Sequence, residues 1–213
     1  MVQQERAART RRALIIAAAE VFADDGYALA SLPAISKRAG VSTGALHFHF
    51  SSKDALAAAV ENTAELGLRN LVDECLESSG TLLQCLACTV TRLLEAVRED
   101  PVTRAGLRLG GDPSRKSGGG VVVWWYEWVS DLLARARETG ELPDEVSPEG
   151  AATVISAAVA GVVLLGGTRG PEQPPYAHMV PFREFLLSWL FAPPPDGHPG
   201  QGCGLPAGTA ATG

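Results

Sequence analysis

The chain has 213 residues, 46% of them hydrophobic and 20% charged, and a formal net charge of −6. That composition excludes a chain disordered throughout, and the length accommodates one large domain or a small one beside a larger one, each burying a core. The net charge conceals an asymmetry: residues 1–60 carry seven Lys/Arg against five acids, and the other 153 carry eleven against nineteen. A mildly basic head on an acidic body is the distribution expected if only the head meets phosphate.

Almost every segment reads as helix, and no convincing alternating strand appears. The N-terminus, Met-Val-Gln-Gln-Glu-Arg, lacks an apolar h-region, so no secretory signal is expected and the chain is assigned to the cytoplasm, with the nucleoid. A first helix is predicted from about Ala8 to Ala23, with Leu14, Ile15, Ala18, Val21 and Phe22 on one face. Asp24-Asp25-Gly26-Tyr27 ends it, Gly26 supplying the left-handed terminal residue. Ser31 is the expected N-cap of a short second helix, which tolerates Pro33 in its first turn and stops at Gly40. Ser42 caps a short third helix, and Ser51-Ser52-Lys53-Asp54 starts a long fourth that runs to about Ser78.

Further helices are predicted at roughly 81–98, 101–109, 120–139, 148–167 and 178–191, giving an all-α chain of about nine helices. Ser147-Pro148-Glu149 combines a cap, a Pro at the first helical position and an acid in the first turn. The stretch from Gly110 to Gly120, rich in Gly, Ser and Pro, is expected to be a mobile loop. Residues 193–213 are too rich in Pro, Gly and small residues to build a core, and are read as a disordered tail. The predicted organisation is a mildly basic helical head at 1–52, a helical body at 53–192 and that tail.

Cys75, Cys85, Cys88 and Cys203 lack disulfide-framework spacing. Cys85 and Cys88 form a CxxC, but inside a helical pattern and without a nearby His or second CxxC. The cysteines are therefore read as small buried hydrophobes, and no metal or cofactor is expected. The uncharged run from Ala151 to Gly167 is short for a membrane span and has no basic flank or aromatic belt. It is read as a helix buried on most sides, in a core or a dimer seam, with no membrane partner.

Ser31 to Phe50 has the spacing of a helix-turn-helix. Ile35, Ala39, Val41 and Leu46 are apolar where the two helices pack, Ser36 is small at their closest approach, and Gly40 sits in the turn. Thr43, Gly44, Ala45, His47 and His49 fall on the exposed face of the third helix. Small residues there let backbone lie close to a groove, while hydroxyl and imidazole groups reach phosphates or base edges. Lys53, at the next helix start, is placed to clamp a phosphate together with free backbone N–H groups.

The segment Val41-Ser42-Thr43-Gly44-Ala45-Leu46-His47-Phe48-His49-Phe50-Ser51-Ser52-Lys53-Asp54-Ala55-Leu56, with Ala17 to Tyr27 before it, resembles the TetR (tetracycline repressor) family over about the first 60 residues. The resemblance implies an all-helical homodimer with a helix-turn-helix head on double-stranded operator DNA and a ligand-binding, dimerising body. It also implies that Ser31, Ser42, Thr43, Gly44, His47, His49 and Lys53 face DNA. Two residues depart from the family pattern: His47 stands where tyrosine is usual, and Thr43 where the nearest subgroup often has lysine.

In the body, Trp124, Trp125, Tyr126 and Trp128 crowd one short stretch, and Trp124 and Trp128 share a helix face at i, i+4. They suit a cavity for a flat or apolar small-molecule effector, and equally ordinary core packing. The wording around Gly44–Phe50, Tyr126-Glu127-Trp128 and Gly140-Glu141-Leu142 resembles the actinobacterial γ-butyrolactone receptors, in which a tryptophan matching Trp128 lines the ligand cavity. Where that subgroup often has a hydroxyl and an amide in its penultimate helix, this chain has Ala160-Gly161-Val162-Val163, which favours a drifted ligand such as an antibiotic.

The function expected is thus a ligand-responsive transcriptional repressor of antibiotic or secondary-metabolite genes. No Ser-His-acid elbow, phosphate loop, paired-carboxylate motif or HExxH is present, so no catalytic residue is assigned and an enzyme is not expected. The competing reading is a helical dimeric interaction protein whose head has lost specific DNA binding.

Overall fold

The computed structural model describes residues 2–115 and 118–165 and, singly, Glu184 and Ser188. Among the described residues there are eight helices and no strand: α1 (Val2–Leu29), α2 (Leu32–Arg38), α3 (Thr43–His49), α4 (Lys53–Ser78), α5 (Leu82–Glu99), α6 (Pro101–Gly110), α7 (Gly120–Glu138) and α8 (Pro148–Leu165). The all-helical reading holds. The helix expected at 178–191 and the tail at 193–213 fall outside the described residues, apart from helical backbone at Glu184 and Ser188.

Local capping chemistry sets most of the helix starts. Ser31, Ser42 and Ser52 each accept a hydrogen bond from the backbone N–H three residues on, at 3.3, 3.1 and 3.0 Å. Thr81 caps α5 in the same way, and Asp100 takes the N–H groups of both Val102 and Thr103 at the start of α6. Each cap satisfies donors that a helix start otherwise leaves open. Gly26, at φ 77, interrupts α1 where the sequence places its end, and one more turn follows to Leu29. The helix also begins earlier than Ala8. Gly40, at φ 66, makes the α2–α3 turn in a conformation that side chains with a Cβ rarely adopt.

Two cores result, and they divide the chain differently from its sequence order. The head core joins Leu14, Phe22, Ile35 and Leu46 to Leu56 and Val60 from the first half of α4, and to Val102, Ala105 and Leu109 from α6. The body core joins Leu68 and Cys75 from the second half of α4 to α5, α7 and α8, with Leu107 contributed by α6. Helix α4 thus runs through both cores and α6 is wedged between them. A Cβ built on Gly106 would lie 2.4 Å from the Ala64 Cβ, so the approach of α6 to α4 depends on glycine.

Three expectations for the body are corrected. The Gly110–Gly120 stretch is anchored at Arg115, whose side chain is 2% exposed and pairs with α4. Cys75 and Cys88 are bonded as a disulfide with their Cα atoms 5.9 Å apart, because antiparallel α4 and α5 bring them face to face, while Cys85 stays free and buried. Helix α8 buries one stripe (Ala151, Ala152, Ile155, Val159, Val162, Val163) and leaves Val154, Leu164 and Leu165 exposed. It is long and apolar enough to cross a membrane by length and composition, yet a third of it packs into the body core.

Candidate nucleic-acid interface and effector cavity

Helix α3 presents its polar side outward because Leu46 and, beyond its end, Phe50 turn the other side into the head core. Thr43, Gly44, His47 and Phe48 are exposed, and His49 is half-buried with its ring 5.2 Å from that of Phe48. Ser31 and Ser42 are exposed at the starts of α2 and α3. Each uses a lone pair to accept its capping N–H, which leaves the hydroxyl proton available to a phosphate. The Thr43 hydroxyl lies 3.4 Å from that of buried Ser36, linking the two helices. A Cβ on Gly44 would find only the Ser42 hydroxyl, at 3.9 Å, so this side of the helix is open to a close partner.

Lys53 is engaged elsewhere than expected. Its ammonium donates to the carbonyls of Tyr27, Ala28 and Ala30 at 2.8, 3.3 and 3.0 Å and lies 4.4 Å from the centre of the Tyr27 ring. Three donors on three carbonyls close the end of α1. That geometry makes Lys53 the tie between α1 and α4 rather than a cation held out to solvent.

Behind the head lies a cavity of about 360 Å³. Phe22, Gly26 and Tyr27 of α1 form one wall, Leu107 to Leu109 of α6 and the turn from Gly111 to Pro113 a second, and Val122 and Trp125 of α7 with Ser156, Val159, Ala160, Val163 and Leu164 of α8 the rest. The size lies at the low end of ~300–1,000 Å³ ligand sites. Of the three tryptophans on α7, Trp125 is on this wall and 2% exposed. Trp128 stands beside it, ring centres 5.4 Å apart, and Trp124 lies 4.7 Å from the Arg69 guanidinium. Neither belongs to this wall.

Charged groups tie the cavity walls to both halves of the molecule. Arg108 donates to the Ala23 carbonyl of α1 at 2.6 Å. Arg115 reaches Glu61 of α4 at 2.5 Å and Asp54 at 3.4 Å, and lies 5.5 Å from the centre of the Tyr27 ring. Buried Glu61 also accepts the Gly119 N–H at 2.9 Å. Burial, and after it the Asp54 carboxylate, push the Tyr27 phenol up against the opposing pull of Arg115, so it stays protonated. Burial raises the Asp112 carboxyl, but hydrogen bonds from Ser114 and the neighbouring Arg115 and Arg108 outweigh it and hold the group below its ordinary value.

Residues 14–60, the head and the start of α4, match the family model for bacterial regulatory proteins of the tetR family. Over the longer chain, a solved structure concerned with the molecular basis for control of antibiotic production by bacterial hormones is 30% identical, with a TM-score of 0.72, covering 84% of this chain and 96% of that one. The chain belongs to the TetR family. The TetR-family protein CprB of Streptomyces coelicolor, solved in complex with its operator sequence, is 27% identical with a TM-score of 0.68, covering 87% of this chain and 88% of that one. The A-factor receptor protein of Streptomyces griseus is 34% identical over 169 residues, which make up 78% of this chain and 58% of that protein's length.

Within this TetR-family fold the sequence placed the short helix α3 but not three residues that stand out in the structure. Phe48, 82% exposed, is the most exposed aromatic on α3; its place opposite Leu46 and Phe50 was the available signal. Ser156 sits one turn before Ala160, where the resembled subgroup often has a hydroxyl, and lines the cavity. Arg115 left no local signal, because its partners stand 54 and 61 positions away.

Proposed function

We propose that this TetR-family regulator is a homodimeric repressor, placing the α3 helix of each protomer in successive major grooves of a pseudo-palindromic operator. Ser31, Ser42, Thr43, Gly44, His47 and His49 form the DNA face. Phe48 is added as an apolar contact for a thymine methyl group, and Lys53 holds the frame. A small hydrophobic effector, γ-butyrolactone-like or an antibiotic, fills the cavity and releases the operator. The genes under control are then those of antibiotic or secondary-metabolite production, and the protein works in the cytoplasm, with no catalytic role.

The observation that carries this reading is the shared wall of the cavity. Phe22, Gly26 and Tyr27 belong to the first helix of the head, and the opposite walls belong to the body. A molecule that wedges these walls apart acts directly on the angle of the head, and so on the spacing of two recognition helices in a dimer. Ligand and operator then each favour a different arrangement, which is the thermodynamic requirement for release. The same shared wall is not needed by a bare interaction module.

The test is an electrophoretic retardation assay of the full chain on the region upstream of its own gene, with a salt titration. The expected outcome is specific retardation of a palindromic segment whose affinity falls steeply as salt rises. Absence of a specific shift on any upstream segment, with a dimer confirmed in solution, would sink the proposal in favour of an interaction protein.

A further inference from the structure

Helix α4 serves both halves of the molecule, and its far end is tied by a covalent bond. Cys75, in the last turn of α4, is bonded to Cys88 of α5. Cys75 is fully buried, whereas Cys88 is partly exposed. A cation stands beside the bond: the Arg92 guanidinium lies 3.9 Å from the Cys75 Sγ and is held there by Glu74 at 2.5 Å. Cys85, on the same helix as Cys88, is 1% exposed. Burial pushes its thiol up and keeps it protonated, so it does not compete for the bond.

Resting on the reading of this chain as a cytoplasmic operator-binding regulator, we infer that Cys75 and Cys88 form a reversible thiol–disulfide switch. A cellular dithiol opens the bond and a hydroperoxide closes it. The state of the bond sets how firmly the body end of α4 is held.

The unequal surroundings of the two sulfurs give each a role. In reduction, a thiolate of the dithiol attacks the Sγ of partly exposed Cys88, the S–S bond breaks, and Cys75 leaves as a thiolate beside Arg92. A leaving thiolate departs faster the better its charge is stabilised. The second thiol of the reductant then displaces Cys88 from the mixed disulfide. The reductant ends as a disulfide, and two electrons and two protons have passed to the protein. In oxidation, the Cys88 thiolate attacks the outer oxygen of the hydroperoxide, which releases an alcohol and leaves a sulfenic acid. The Cys75 thiolate attacks that sulfur, the S–S bond forms and water departs.

The place of the bond gives it a consequence. Helix α4 puts Leu56 and Val60 into the head core, and Leu68 and Cys75 into the body core. With the bond closed, α4 and α5 form a cross-linked hairpin. With it open, packing and the Arg92–Glu74 pair hold the end of α4, and operator binding has more to order. A reducing cytoplasm keeps the switch open until an oxidant arrives, so the oxidised form is the tighter operator binder.

Full-length protein, reduced and then treated with equimolar hydrogen peroxide, should form the Cys75–Cys88 bond, and dithiothreitol should open it without unfolding the chain. Alkylation followed by peptide mass measurement identifies the sulfurs. Arg92→Gln should slow opening by dithiothreitol at least about threefold, and Arg92→Lys should restore most of the rate, which a merely structural role would not do. Amide hydrogen exchange around Cys75 should be slower in the oxidised parent than in the reduced one, and the same under both conditions in Cys88→Ser. The oxidised parent should bind the upstream operator segment at least about threefold more tightly than the reduced parent, a difference absent from Cys88→Ser.

A bond that does not form, that dithiothreitol opens only in denaturant, or that opens as fast in Arg92→Gln as in the parent overturns the switch. Equal operator affinity in the two redox states does so as well. Failure of the repressor reading looks different: the bond cycles and Arg92 governs its opening, yet neither redox state retards any upstream segment specifically. That outcome upholds the exchange chemistry and sinks the repressor.

Discussion

In the head, three serines cap three successive helices and Lys53 closes the last carbonyls of α1. In the body, buried polar atoms of Trp125, Ser130, Arg137 and Ser156, and of Arg115 in the loop that leads to them, have no partner. None of these unmatched groups lies before Arg115 among the described residues. A surface that fits a stiff duplex is most useful when its shape is set beforehand, since less order is then lost on binding. Of the unmatched body residues, Trp125 and Ser156 line the cavity, and Arg115, Ser130 and Arg137 do not.

The two regions meet at Arg115, and breaking that junction should give the largest effect. Arg115→Ala leaves Glu61 buried at 7% side-chain exposure without its cation. Loss of one partner of a buried pair costs about 3–5 kcal/mol, read as a lower midpoint in denaturant unfolding. Pairing it with Glu61→Leu should recover part of that loss, and a single variant as stable as the parent would show that the junction rests on packing alone.

The disulfide sharpens the comparison next, because Cys75 and Cys88 lie in the body half of α4 and in α5. Cys88→Ser should lower stability by about 3 kcal/mol when the parent is oxidised. With a thiol reductant present, the difference between the two proteins should vanish. A cytoplasmic protein ordinarily keeps its thiols reduced, so mass measurement of the purified chain with and without alkylation tells how much of it carries the bond.

Lys53→Met should give the smallest effect, about 1–2 kcal/mol, since three charge-assisted bonds are lost at a half-exposed site where solvent compensates in part. Its second readout decides the residue's role. If Lys53 ties α1 to α4, the dependence of operator affinity on salt keeps its slope; a slope shallower by about one would return Lys53 to the phosphate contacts.

Much of the head could be read in advance because its determinants are local. Ser42 three residues before the N–H it caps, Gly40 at positive φ in the turn, and Leu46 with Phe50 on one helix face are patterns within a few positions. The same logic foretold the break at Gly26 and the starts of α4 and α8. It did not show the carbonyl partners of Lys53, which lie 23 to 26 positions upstream. It did not show that Arg115, in the stretch whose composition suggests mobility, is buried and paired with α4.

By itself the sequence determined the helices of the described residues and a helix-turn-helix spacing at Ser31 to Phe50, because caps, glycine turns and helical periodicity act over a turn or two of chain; the regulator family came from the resemblance of its motif. The tertiary structure alone decided that Trp125 and Ser156 share a cavity, that Arg108 reaches Ala23 across 85 positions, and that Cys75 meets Cys88. Such pairings depend on how whole helices cross, and no short-range pattern encodes them.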